Sequence, residues 1–204
     1  MAERARTYHH GDLRVSLVEE AAAMISEAGA ASVTMRAIGG RLGVSRGAPY
    51  RHFPDKTALL VAVAVEGFKR LNRRLGASDT GASPSSVEQL RRMGEQYVRF
   101  ALEHPAHYRL MYGKEALERQ DQPELRRAAG ALLENLVDVI RVHQQRGDIE
   151  GGDPRAQAYV AWSAVHGLAS LLIERQIDPN VDVDDLILQT TQTILDGMRD
   201  RSPD

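Results

Sequence analysis

Apolar residues recur along this chain at separations of three and four, the period of an α-helix with one buried face. Leu13, Leu17, Ala21, Met24 and Ile25 form such a stripe and predict a helix over 12–28. Ile38 and Leu42 give a single apolar face to a much shorter helix, which Thr34 can cap with its hydroxyl. Gly43 stands where that helix must end in a left-handed residue, Val44 follows as a buried plug, and Ser45 recaps the chain. The next helix can run only from Ser45 to Phe53, because Pro54 biases its predecessor away from helical angles. A longer helix over 56–75 follows, and 76–86, rich in Gly, Ser, Asp and Pro, reads as a loop.

The second part repeats the pattern at greater length. Ser83 and Pro84 open a helix that reaches His104, Pro105 interrupts it, and a short helix covers 106–112. After a polar loop over 113–122, Pro123 starts a helix that reaches Arg146 and stops at Gly147. Asp153 and Pro154 start another, reaching Gln176, and a last helix fills 183–199. No stretch alternates with the period of a strand. The expectation is an all-α fold of about nine helices.

Chemistry concentrates in Thr34–Lys56. A helix of two turns is marginal alone in water, so the one after Ser45 must be held against something. Its outward positions, Arg46, Gly47, Ala48, Tyr50, Arg51 and His52, are cationic, aromatic or very small. Small residues permit close backbone approach, and the others can reach phosphates and base edges. Tyr50, His52 and Lys56 place three phosphate-capable donors where one helix ends and the next begins, and Asp55 can cap that next helix. Leu42-Gly-Val-Ser45 alone would equally suit a packing corner without a nucleic-acid role; the Tyr50-Arg-His-Phe-Pro-Asp-Lys56 sequel weighs against that.

These residues resemble the signature of TetR-type transcriptional regulators, over about residues 11–71. The resemblance implies a helix-turn-helix over 34–53 within a three-helix DNA-binding domain at 11–71, and a helical ligand-binding and dimerisation domain at 84–200. It implies phosphate contacts from Thr34, Tyr50, His52 and Lys56 and base-edge contacts from Arg46, Gly47, Ala48 and Pro49; Arg36 and Ser45 complete the DNA-contact candidates. Pro49 departs from the usual pattern. It lacks an amide and crowds the carbonyl four residues back, so the reading helix is expected to begin as a tighter turn.

Composition narrows the class. The 204 residues can bury a substantial core, and no apolar run approaches the eighteen or so residues of a membrane span. The N-terminus lacks the apolar stretch of a signal peptide, and zero cysteines exclude disulfides and thiolate chemistry, so a cytoplasmic location is expected. The net charge of −2 divides unevenly: residues 1–56 hold eight Lys/Arg against six Asp/Glu, and the remainder eighteen against twenty-two. Basic character is confined to the reading head, and one head so weakly charged would bind poorly. A homodimer would double the phosphate contacts on double-stranded DNA. The N-terminal arm, with Arg4, Arg6, His9 and His10, can either touch a minor groove or stay disordered. Lys69, Arg70, Arg73 and Arg74 suit a solvated, dipole-complementing helix end better than a second DNA patch.

The stretch 159–173 is apolar or small around nearly its whole circumference, so it should be buried on more than one side. Ala161, Ala164, Leu168 and Leu172, with Ile187 and Ile194 from the last helix, are candidates for a two-fold four-helix interface. The Trp162…His166-Gly167 grouping resembles the C-terminal domain type called WHG, found in a branch of TetR-type regulators. Aromatics are scarce elsewhere, so Met93, Tyr97, Phe100, Tyr108, Met111 and Tyr112, with Leu136, Ile140, Trp162 and His166, are candidates to line a small-molecule effector site; plain core is the competing reading. His104, His107, His143 and His166 raise a metal site as an alternative, but no carboxylate accompanies the His104–His107 pair at a recognisable ligand spacing, and Ser163 with His166 lacks any nucleophile elbow. No cofactor, metal or enzymatic activity is expected.

Overall fold

The computed structural model describes residues 10–77, 88–113 and 122–199. Among these are eight α-helices: α1 His10–Ala28, α2 Met35–Arg41, α3 Lys56–Ala77, α4 Glu88–Glu103, α5 Pro105–Tyr112, α6 Pro123–Gln145, α7 Pro154–Ile173 and α8 Val183–Met198. Two 3-10 turns, Ala30–Ser32 and Pro49–Arg51, interrupt them, and Ile149 and Arg199 form an isolated β-bridge. The fold is all-α, as the periodicity predicts. The arm residues Arg4, Arg6 and His9, the helix start at Ser83–Pro84 and loop positions 114–121 lie outside the described residues, as does the side chain of His10.

The helices divide into two compact units. The first takes in residues up to Gly67 together with Ala106–Leu125, and the second Phe68–Pro105 together with the chain from Arg126 onward. The boundary therefore falls inside α3, and nearly all of α5 joins the first unit, which differs from the simple division at the 76–86 loop. A contact explains the placement of α5. Met111 is buried, and a Cβ added to Gly67 would stand only 2.8 Å from its sulfur, so the absence of a side chain on α3 makes the notch that Met111 fills.

In the first unit, Leu17, Ala21 and Ile25 of α1 close over Val33, Ile38 and Leu59, all essentially inaccessible to solvent. Thr34 caps α2 as expected, accepting the Ala37 N–H at 3.0 Å, an arrangement worth about 1 kcal/mol. The end of α2 closes with two reversed bonds, Val44 N–H to the Gly39 carbonyl (2.9 Å) and Gly43 N–H to that of Gly40 (3.2 Å), with Gly43 at φ 66°. Arg41 then fastens α2 to α1 through a bidentate pair with Glu27 (2.7 and 3.0 Å) and a contact with Glu20. That pairing holds the Glu27 carboxyl below its usual range.

In the second unit, α4 packs on α7 and α8, which also pack on each other. Leu90, Val137, Ile140, Ile149, Ala158, Ala161 and Met198 form the buried cluster between α4, α6, α7 and α8. Gly147 (φ 79°) ends α6 as expected, with Asp148 N–H returning to the His143 carbonyl, and His143 Nδ1 lies 2.8 Å from Asp148 Oδ2. Asp153 caps α7 through the Arg155 N–H at 2.9 Å. That helix stops at Ile173 rather than at Gln176, because Arg175 adopts φ 53° and lets the Gln176 N–H reach back to the Leu171 carbonyl at 2.9 Å. Its 20 residues are long and apolar enough to cross a bilayer, contrary to the expectation from composition. Its stripe of Ala158, Ala161, Val165, Leu168 and Ala169 is nevertheless buried, the pattern of a core helix.

Candidate nucleic-acid interface

The segment after Ser45 is the main departure from the expected fold. In place of an α-helix over 45–53, the chain makes turns through Arg46–Ala48 and a single 3-10 turn at Pro49–Arg51. The bonds run Ala48 N–H to the Ser45 carbonyl (3.0 Å), Arg51 N–H to Ala48 (3.2 Å) and His52 N–H to Pro49 (3.1 Å), three residues apart each time. An α-helix would have required Pro49 to donate to Ser45, and proline has no N–H to give. The Ser45 carbonyl is instead taken one residue earlier. The expected tightening extends through the segment, with one bond of helical span, Phe53 N–H to the Pro49 carbonyl at 3.0 Å.

Pro49 itself is buried, so its assignment as a base contact is corrected. Its ring lies over Gly39 of α2, where an added Cβ would meet Pro49 Cγ at 3.3 Å and Val44 Cγ2 at 3.8 Å. The segment is clamped at its far end by Phe53, buried beneath the Arg14 guanidinium at 4.9 Å from the ring centre. Between these anchors the surface is open. Ser45, Arg46, Gly47, Tyr50 and Arg51 are exposed, Tyr50 by 56%, while Ala48 and His52 are half-buried.

The flanking helix starts complete the surface. Thr34 and Arg36 are exposed at the N-terminus of α2. Asp55 caps α3 through the Ala58 N–H at 2.8 Å, as expected, which leaves the other first-turn amides of α3 as donors. Half-buried Lys56 sets its ammonium 3.4 Å from the Ala31 carbonyl, so its position is fixed by the turn between α1 and α2. The first unit therefore presents cationic, hydroxyl and amide donors from three consecutive elements. Such a set can grip phosphates while Arg46, Tyr50 and Arg51 reach for base edges. Arg51, an outward position in the sequence that the resemblance does not assign, is exposed here as well.

The other candidate residues separate by unit. Tyr108, Met111 and Tyr112 are in the first, with Met111 on Gly67 and the Tyr108 and Tyr112 rings 4.9 Å apart. Within the second, Ile140 belongs to the core cluster and Leu136, partly buried, packs against it, which favours packing over ligand lining for both. Tyr97, Trp162 and His166 are brought together: Trp162 Nε1–H donates to Tyr97 Oη at 3.0 Å, and that oxygen lies 3.0 Å from His166 Nδ1. Burial pushes the His166 pKa below its usual value. Met93 and Phe100 are buried on the same side of α4 as Tyr97. Of the dimer candidates, Ala161, Leu168 and Ile187 point into their own core and Ala164, Leu172 and Ile194 are half-buried; the exposed large apolar side chains of α7 and α8 are Tyr159, Val160 (65%), Leu171, Val183 and Leu188. Small and aliphatic residues fill both faces of α7, so the sequence does not distinguish them.

Comparison with known proteins agrees with this arrangement. Residues 17–63 match the tetR family of bacterial regulatory proteins, and residues 90–194 match the tetracyclin repressor-like C-terminal domain. The solved structure of a protein of unknown function from Rhodococcus sp. RHA1 is 31% identical, covering 96% of this chain and all of that one, with a TM-score of 0.86. A TetR-family transcriptional regulator from Pectobacterium atrosepticum is 25% identical over 98% of this chain and all of its own, with a TM-score of 0.73. The HTH-type transcriptional repressor KstR of Rhodococcus jostii (strain RHA1) is 35% identical over 77 residues, a stretch covering 38% of this chain and 36% of that relative. With both halves matched in order and the reading surface exposed on the first, this chain belongs to the TetR family of DNA-binding transcriptional regulators.

Proposed function

We propose that this regulator is a homodimeric repressor, working in the cytoplasm, that a small-molecule ligand releases from a near-palindromic operator. The observation that carries the DNA half is the exposed array of Thr34, Arg36, Arg46, Tyr50 and Arg51, with half-buried Lys56 beside it, on one unit. Dimerisation is supported by the exposed apolar residues Tyr159, Val160, Leu171 and Leu188 on two helices that pack together, and by the modest charge of a single head. Repression is supported by the likeness to KstR, a repressor by name.

Ligand release is supported by the Tyr97–Trp162–His166 group, a few polar tips among buried Met93 and Phe100, the usual composition of a small-molecule site. The α3 helix, Lys56–Ala77, contributes residues to both units. The ligand must bind the non-operator state more tightly, since a ligand without preference shifts nothing. A promoter-reporter assay with purified operator binding tests the reading. Basal transcription should be low, and one class in a broad panel of apolar ligands should raise it while lowering operator affinity. Operator binding that persists across the panel contradicts ligand release, and transcription that rises with the protein contradicts repression.

A further inference from the structure

We propose that Pro49 sets the operator preference of this regulator without touching DNA, by holding the reading segment in three-residue turns that present Tyr50 and Arg51 on two separate outward lines. The proposal rests on the DNA-binding role of the Ser45–Phe53 segment and goes beyond it.

Winding decides which side chains of the segment align. With three residues per turn and a rise of about 2.0 Å, side chains three apart lie on one line; in an α-helix those four apart are closer to alignment. The observed bonds at 45–48, 48–51 and 49–52 impose the tighter winding on this segment. The burial pattern matches it. Pro49 is buried and His52, three residues on, is half-buried, so these two form the inward line. Gly47 and Tyr50 form a second line and Ala48 and Arg51 a third, and both Tyr50 and Arg51 are exposed. Each of these long side chains is preceded on its line by a glycine or an alanine, and nothing stands within 4 Å of the place where a Cβ of Gly47 would be. The approach to Tyr50 and Arg51 is therefore unobstructed.

Two observations make Pro49 the cause of this winding rather than a passenger in it. Its missing N–H removes the helical bond to Ser45, which Ala48 replaces. Its ring is also locked in place: it is seated on Gly39, the residue whose carbonyl accepts Val44 N–H at 2.9 Å to close α2. Ala48 meanwhile sits at φ −62°, ψ −44°, a region that the residue before a proline disfavours. The conformation is held by packing against α2 and not by local preference, so it persists only while Pro49 and Gly39 fit.

The test is selection of bound duplexes from a randomised pool by the full-length protein, for wild type, Pro49→Ala and Arg51→Ala. Alanine restores the missing N–H and favours an α-helix. Pro49→Ala should change the selected bases within each half-site while low-salt binding to unselected duplex stays within about two-fold, because Thr34, Lys56 and the first-turn amides of α3 are untouched. A merely structural proline would weaken every sequence alike. Arg51→Ala, at an exposed position where folding is not at risk, should relax preference at one base position and lower specific affinity by about ten-fold. Unchanged selected sequences in Pro49→Ala, or unchanged preference in Arg51→Ala, overturn the proposal. If the wild type selects no sequence at all, the DNA-reading role of the segment falls with it.

Discussion

The indole N–H of Trp162 is donated to Tyr97 Oη at 3.0 Å, and the same oxygen stands 3.0 Å from His166 Nδ1. With its oxygen occupied as an acceptor, the hydroxyl has its own proton to give to Nδ1. The neutral Nε2–H tautomer of His166 is the one that accepts this proton. Burial acts in the same direction, lowering the His166 pKa from its usual 6.5. Three residues from two helices of one unit thus share a directed chain of bonds that a proton on His166 would reverse.

The sign of the pH dependence follows. The unfolded chain takes up the proton at the ordinary histidine pKa, before the folded chain does, so the contribution of His166 is complete above about pH 6.5 and is lost as pH falls through that value. The urea unfolding midpoint should drop between about pH 7.5 and about pH 5.5, and His166→Gln should flatten that part of the profile. Tyr97→Phe should cost about 1–3 kcal/mol, since it takes a buried acceptor from Trp162. An identical pH profile in wild type and His166→Gln counts against the arrangement.

Gly94 marks the closest approach of α4 and α8. A Cβ there would lie 2.8 Å from Thr191 Cγ2 and 3.4 Å from Val165 Cγ1. Thr191 cannot easily turn away, because its hydroxyl is held by the Ile187 and Leu188 carbonyls at 2.9 and 3.0 Å. Gly94→Ala should therefore lower stability by about 1–3 kcal/mol, despite the better helix propensity of alanine. Thr191→Ser removes Cγ2 and keeps the hydroxyl, so it should recover most of that loss in the double variant. Thermal unfolding of the four proteins in the cycle measures this, and additive losses would refute the contact.

Dimerisation is best probed on the exposed face. A charge at Leu168 would enter the core of its own chain and test only folding. Val160→Glu combined with Leu171→Glu should leave circular dichroism and unfolding nearly unchanged while shifting sedimentation from two chains to one. A double variant that still sediments as a dimer would place the interface elsewhere.

The reading surface separates phosphate contacts from base contacts. Lys56→Ala should weaken binding to specific and unselected duplexes by similar factors and reduce the slope of log affinity against log salt by about 1. Arg46→Ala should change base preference. Titrations by fluorescence anisotropy at several salt concentrations distinguish the two, and an Arg46→Ala variant with unchanged preference would remove that residue from the reading set.

Much of this was legible in the chain itself. Thr34, Gly43, Asp55, Gly147 and Asp153 mark helix ends by chemistry that acts within a few residues, and the structure places those ends as expected. What was not legible depends on distant partners. Pro49 announces a tight turn, but only its seat on Gly39 shows that it faces inward. Ala161 and Leu168 resemble interface residues until α4 and α8 are in place around them. Met111 reads as pocket lining, whereas the notch that receives it is an absence, the missing side chain of Gly67. The scarcity of aromatics did single out Tyr97, Trp162 and His166, but not the order of their bonds.

The central claim is that two copies of this chain read one operator through the Thr34–Lys56 surface. Footprinting of genomic fragments selected by the purified protein, with the number of bound chains counted by analytical ultracentrifugation, tests it most directly. Two chains should protect two half-sites of a near-palindrome whose centres lie about 34 Å, one turn, apart or a multiple of that. One chain protecting a single half-site, or protection without sequence preference at moderate salt, would contradict the account.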